Sequence, residues 1–271
     1  MKNIGLIIPT TDNSFFSSLA HSLQKIKSEE YDLFICDSEN SPEKERKYLK
    51  DLSDICEGII DVSGLSELPD DLLEEDYPLV FVDRRPGSNR KVAWVANDDA
   101  KAMEEATGYL IEKGCKNILL LPGYVAEKQD SPRVSGYKQA LLQNGLNYDD
   151  GFVLNRKGKG SSEEETEALV MDKIHEGVKF DGIITSSDRA AFGALRAISK
   201  LGYYAPEDVR LISFDNSPYA TMASPSITTI DRNPYELARV AYNVLMKIID
   251  DQPYETENII PVSLIKRDTT R

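Results

Sequence analysis

The stretch FDGIITSSDRAAFGALRAISKLGYYAPEDVRLISFDN, residues 180–216, decides the fold. DGIITS (181–186) and VRLISFD (209–215) are short, β-branched and almost continuously apolar, as strands covered on both faces must be. Between them 189–201 reads as a helix. Strand, helix and strand in that order form the crossover that joins neighbours in a parallel sheet. Working outward, the same unit recurs. Strands are expected at 4–9, 31–36, 57–62, 78–83 and 92–96, then at 117–123 and 151–155 before the two already quoted. One helical face gathers Phe15, Leu19, Leu23 and Ile26, and another Tyr48, Leu49, Leu52 and Ile55. Further helices are expected near 133–144 and 162–176. A last helix at about 234–250 carries a stripe of Leu237, Val240, Ala241, Val244, Leu245 and Ile248, after which IIPVSLIKR returns to strand character. The two series predict two α/β lobes. No Gly/Ser-rich tether separates them, so several strand-like crossings and a ligand cleft between the lobes are expected.

The 271 residues exceed the usual size of one domain, which agrees with two cores. With 41% hydrophobic and 29% charged residues the composition is that of an ordinary globular protein, and no apolar run approaches the roughly 20 residues that cross a bilayer. No membrane partner is expected. The N-terminus has no signal-type apolar core, which points to the cytoplasm or to a leader already removed. A net charge of −14 argues against these residues gripping a phosphate backbone by themselves. Cys36, Cys56 and Cys115 form no CxxC pair and are odd in number, so they read as reduced thiols rather than a zinc site or disulfide framework.

Catalytic and cofactor motifs fail one by one. The turn after the first strand, PTTDNSFF, has no glycine to let a dinucleotide pyrophosphate approach. In RKGKGSS (156–162) the phosphate-loop spacing breaks, because Val153 stands where the first glycine belongs and Gly160 follows the lysine. That stretch reads as a basic turn before a helix, with Ser162 and Glu165 spaced as a capping box. His21 and His175 both fall inside helical segments, and no G-x-S-x-G elbow accompanies them. Asp98-Asp99 and Asp149-Asp150 read as helix caps and turns. No enzyme, no cofactor and no metal site is expected.

What remains is a group of polar and aromatic residues at strand ends: Asp12, Asn13, Phe15 and Phe16; Asp83 and Arg84; Arg133; Ser187 and Asp188; Asp215 and Asn216. Carboxylates and guanidinium groups hold polyol hydroxyls bidentately, and aromatic faces cover the C–H surface of a sugar ring. Asn13 also suits a helix N-cap and Phe15 a core position. Trp94, the single tryptophan, reads as packed rather than ligand-facing.

These residues resemble the lactose-repressor/galactose-repressor (LacI/GalR) family of bacterial transcription regulators, in its effector-binding core. The likeness runs through IGLIIPTTDNSFFSSLA, PLVFVDRR, RVSGYKQALLQNG, the opening stretch, PSITTIDRNPYELARVAYNVL and PVSLIKRDTT, and so covers nearly the whole chain. The resemblance implies a periplasmic-binding-protein-like type I fold, two doubly wound parallel-sheet lobes joined by three crossings. The N-terminal lobe is expected to take 1–122 and 232–249, and the C-terminal lobe 123–231 and 250–271. It implies a sugar-like small-molecule effector held by Asp12, Asn13, Phe15, Phe16, Arg133, Ser187, Asp188 and Asp215, with Arg133 and Asp215 as the principal clamps. It further implies a homodimer that reaches operator DNA only through a helix-turn-helix headpiece absent from these residues, Met1 then marking a cut just before the core. Many family members carry an aromatic residue where this chain has RKGKGSS, so a charged or phosphorylated effector, or an open wall, is the alternative there. A monomeric sugar receptor of a transport system is the competing reading.

Overall fold

The computed structural model describes residues 2–74, 76–89, 91–123, 131–158 and 161–271. Met1, Lys159 and Gly160, on which expectations above touched, lie outside them. The chain divides into two compact units, one running to Asn97 and resuming over Asn233–Pro261, the other comprising Asp98–Arg232 and Val262–Arg271.

The first unit is built on a six-stranded parallel sheet. Its strands are β1 (Lys2–Ile8), β2 (Tyr31–Asp37), β3 (Gly58–Asp61), β4 (Leu79–Val82), β5 (Ala93–Asn97) and, from the returning chain, β10 (Glu257–Ile260). They lie in the order β10-β5-β4-β3-β1-β2. Successive strand residues face opposite sides, so the continuous apolar runs feed two cores. Leu6, Ile8, Ile60 and Val80 pack with Phe15, Leu19 and Leu23 of α1 (Ser14–Ile26) and Leu237, Ala241 and Leu245 of α8 (Pro234–Ile249). Ile7, Ile59 and Phe81 face the other way, onto Leu49 and Leu52 of α2 (Pro42–Ser53). One polar pair interrupts this second core. Asp61 pairs in register with Ile7 of β1 and Phe81 of β4, is fully buried, and neither carboxyl oxygen has a donor among the described residues. Glu45 of α2, 2% exposed, stands beside it and accepts the Ser63 hydroxyl at 2.5 Å and the Gly64 amide at 2.9 Å. Burial, reinforced by the Glu45 charge, pushes the Asp61 carboxyl well above the ordinary carboxylate range.

The second unit has a five-stranded sheet, β11-β9-β8-β7-β6, from β6 (Ile118–Leu121), β7 (Gly182–Thr185), β8 (Arg210–Phe214), β9 (Thr228–Asp231) and β11 (Ser263–Ile265). Only β11 runs antiparallel. One face carries α3 (Asp99–Glu112) and α4 (Pro132–Gln143), the other α5 (Ser162–His175) and α6 (Asp188–Lys200). Glycine sets both helix pairs. A Cβ on Gly136 of α4 would stand 2.0 Å from the Ala100 carbonyl oxygen of α3, and one on Gly193 of α6 would stand 2.1 Å from that of Glu163 in α5. A five-residue helix, α7 (Pro218–Met222), follows β8.

Several expectations need correction. The first unit ends at Asn97, not 122, because α3 packs against α4 and β6 pairs with β7; residues 250–260 stay with it because β10 pairs with β5. GFVLN is not a strand: Asp150–Phe152 form a 3₁₀ turn under an Asp149 cap, and Val153 makes only an isolated bridge to Leu120. The capping box sits one residue earlier than its spacing suggested, with the Ser161 hydroxyl and amide donating to Glu164 at 2.8 and 3.3 Å. Ile55 is 53% exposed, since α2 stops at Ser53 and its helical phase does not carry on.

Candidate functional site

In open α/β sheets ligands bind beyond the carboxyl ends of the strands. In the first unit the segment after β1 is tied down by Asp37 at the end of β2, which accepts the Thr11 amide and hydroxyl, both at 2.8 Å. The Ser17 hydroxyl donates to the Thr11 carbonyl at 2.7 Å. Burial pushes the Asp37 carboxyl up, but hydrogen bonds from the Thr11 and Glu39 amides and the Thr11 hydroxyl outweigh it and hold the acid below its ordinary value. Asn13 caps α1, its Oδ1 accepting the Phe15 amide at 2.8 Å. Asp12 is exposed at the tip of this loop. Phe15 and Phe16, 2% and 9% exposed, meet edge to face within the core on the α1 side of the sheet. Of the two rings, Phe16 keeps the larger edge toward solvent. Asp83 follows β4 with φ of 70°, and Arg84 after it is exposed.

In the second unit the carboxyl ends of β7 and β8 gather Arg133, Ser186, Ser187, Asp188, Asp215 and Asn216. Ser131 caps α4 and Pro132 occupies its first turn, which brings Arg133 to the sheet end. Its guanidinium is held on three sides. Nε donates to Asp99 at 2.9 Å, one terminal nitrogen donates to the Ser186 carbonyl at 3.1 Å, and the group lies 4.5 Å from the Phe214 ring centroid. Such a pre-ordered planar donor loses little entropy when it takes a further acceptor.

Asp215 leaves β8 with φ of 102°, and Asn216 follows at 52°, two successive residues in left-handed conformations that side chains rarely adopt. The Asp215 side chain is 5% exposed, and Arg232, equally buried, brings a guanidinium nitrogen to 3.7 Å. Ser187 is half-buried and caps α6, its hydroxyl accepting the Ala190 amide at 3.2 Å.

Asp188 departs from the expectation of a residue at the cleft mouth. It is fully buried, and its carboxylate accepts the Ser213 hydroxyl, the Thr229 hydroxyl at 2.6 Å and the Ser217 amide at 2.5 Å. Burial pushes this carboxyl up, against the pull of those donors.

Sequence reasoning did not find Asp99 and Arg232, the charged neighbours of Arg133 and Asp215, and read Asp98-Asp99 only as a cap and turn. Asp98 does cap α3, accepting the Lys101 amide at 3.0 Å; Asp99, one residue on, turns toward α4 instead. An Asp-Asp pair at a helix start carries no mark of that division. His21 and His175 lie exposed on α1 and α5. Among the described residues no group of three or more potential metal ligands occurs.

Residues 107–270 match the periplasmic binding protein-like domain family. Catabolite control protein A of Staphylococcus epidermidis is 31% identical over 272 aligned residues, covering 99% of this chain and 81% of that protein. The chain is an effector-binding core of the LacI/GalR family. The ribose operon repressor of Halalkalibacterium halodurans is similar to this LacI/GalR core to the same degree, 31% over 273 residues, with 99% and 79% covered. Among solved structures, a periplasmic binding protein/LacI transcriptional regulator from Alkaliphilus metalliredigens in complex with D-xylulofuranose aligns over the whole of both chains at 28% identity, with a TM-score of 0.86. These relatives are transcription regulators rather than enzymes. No described helix of the LacI/GalR core is long and apolar enough to cross a membrane.

Proposed function

We propose that this core senses a small sugar, of the pentose class, and acts as the dimeric switch of a cytoplasmic repressor. The observation that carries the reading is the Arg133 guanidinium, fixed by Asp99 and the Ser186 carbonyl over the Phe214 ring at a sheet end that also presents Asp215. A guanidinium and a carboxylate, each already anchored, suit vicinal hydroxyls, one donating and one accepting. The ribose repressor and the D-xylulofuranose complex among the relatives favour a pentose. In this reading Ser187 and Asp215 supply further contacts in the second unit; Asp12, Asn13 and Phe16, with Phe15 packed against it, are the first unit's own candidate contacts. Effector binding shifts the regulator between two states by its differential affinity for them. Operator DNA is held through a helix-turn-helix segment that is not among these residues, in keeping with their net charge of −14.

Two exposed apolar strips favour a second copy of the chain as partner. In the second unit Phe192 of α6 and Tyr219 of α7 stand with ring centroids 6.4 Å apart, beside Met222, which is 82% exposed. In the first, Phe34 and Ile35 are 42% and 47% exposed on the edge strand β2. Apolar surface of this kind marks association sites.

The test is a thermal-shift and calorimetric screen against D-ribose, D-xylulose, their phosphates and hexoses. A bound sugar at 100 times its dissociation constant should add about 2.7 kcal/mol to stability. Absence of any shift across the pentoses would remove the pentose assignment, and absence across the hexoses as well would remove the sugar reading.

A further inference from the structure

We propose that Asp188 is a positioning residue, the group that presents Asp215 to the effector, rather than an effector contact itself; the inference rests on the reading of Asp215 given above. Two successive left-handed residues without glycine are unfavourable unless the surroundings over-determine them. The Asp215 amide donates to the Ile230 carbonyl at 2.9 Å; the side-chain determinants on either side of the turn converge on one carboxylate. Ahead of the turn, the Ser213 hydroxyl donates to Oδ1 of Asp188. Behind it, the Ser217 amide donates to Oδ2 at 2.5 Å. Beside it, the Asn216 amide donates to the Thr229 hydroxyl at 3.3 Å, and that hydroxyl donates in turn to Asp188 Oδ1 at 2.6 Å. Asp188 thus brackets Asp215 on both flanks and reaches Asn216 through a one-step relay.

Other contacts hold Asn216 sideways. Its Nδ2 donates to Asp231 at 3.0 Å, and Arg267 donates to its Oδ1 at 2.6 Å. None of these touches the residue after the turn: the Ser217 amide goes to Asp188, while its carbonyl accepts the Ala220 amide at 3.0 Å. The bracket also needs a carboxylate. An amide at position 188 can offer its oxygen to the two hydroxyls, but its NH₂ would then face the Ser217 N–H donor to donor. Asp188→Asn is therefore a near-isosteric change that cuts the bracket at one end.

Hydrogen exchange in the sugar-free protein tests the bracket directly. Asp188→Asn should accelerate exchange of the Asn216 and Ser217 amides at least about tenfold while the β6 and β7 amides keep their protection. Unchanged exchange at those two amides overturns the proposal, whether or not any sugar binds. Titration with D-ribose and D-xylulose, whichever binds the wild type, gives the second readout. Asp188→Asn should weaken it at least about tenfold. Leu195→Ala, which opens a cavity against the same helix, should leave it within about twofold, separating positioning from general loss of stability. Wild-type affinity in Asp188→Asn, where Asp215→Asn has lost it, overturns the proposal. If Asp188→Asn does not fold, Thr229→Val, similar in shape, breaks the relay alone and is read on the same two measurements. A wild type that binds neither pentose removes the effector reading, while the bracket still stands or falls on exchange.

Discussion

Replacing Asp61 by asparagine should change how the stability of the first unit depends on pH. The native carboxyl sits among Ile7, Phe81 and the α2 side chains with Glu45 as its one titratable neighbour, and Glu45 already receives the Ser63 hydroxyl and the Gly64 amide. Burial, with the Glu45 charge beside it, disfavours the ionised form, so Asp61 keeps its proton. Its folded pKa is raised above the unfolded value of about 3.9. Between those values the folded chain binds one proton more than the unfolded chain. The associated stability is fully present below the unfolded pKa and is lost as pH rises through the folded one. The loss amounts to about 1.4 kcal/mol for each pH unit in that window. Asp61→Asn keeps the size but does not titrate, so this slope should vanish. Urea unfolding at pH 5 and 6 measures it, with Trp94 on β5, in the same apolar cluster as Phe81, reporting on this unit. As pH rises above the unfolded value the wild type should lose stability relative to the variant. Parallel pH dependence in the two proteins would refute the protonated state of buried Asp61.

Other outcomes follow from single contacts. Arg133→Ala should abolish pentose binding by calorimetry, and Arg133→Lys, which cannot bridge Asp99 and the Ser186 carbonyl with one planar group, should recover little of it. Asp215→Ala should also lose binding but with a cost to folding, of about 3–5 kcal/mol, because it deprives the buried Arg232 of a carboxylate; Asp215→Asn is the cleaner probe, and an unchanged melting temperature in the alanine variant would contradict the pairing. Gly136→Ala should lower chemical stability by about 1–3 kcal/mol or more, since the new methyl must push α4 away from the Ala100 carbonyl. Phe192→Asp should yield monomers in sedimentation, and a dimer of undiminished affinity would place the interface elsewhere.

Much of the fold was legible because parallel strands and their covering helices leave periodic marks. The apolar runs at 4–9, 31–36, 181–186 and 209–215 became β1, β2, β7 and β8 with shifts of a residue or two at their ends. GFVLN has the same composition, yet an Asx turn and a 3₁₀ turn absorb its start, leaving one bridge. The unit boundary was not legible either. Whether 98–122 belongs with the chain before or after it depends on which helix its small residues touch, and the contact of Ala100 with Gly136 settles that only in three dimensions.

The candidate site divides in the same way. Sequence alone determined which residue types reach the strand ends, since strand periodicity and helix caps such as Asn13 and Ser187 are local properties of a few neighbouring residues. Only the tertiary structure decided what each of them does. Arg133 and Asp215 acquired the partners Asp99 and Arg232, and Asp188 proved fully buried beneath Ser213, Thr229 and Ser217. The physical reason is that a carboxylate's role is set by the donors around it and by its distance from water, and those donors come from strands 25 to 41 residues away in the chain.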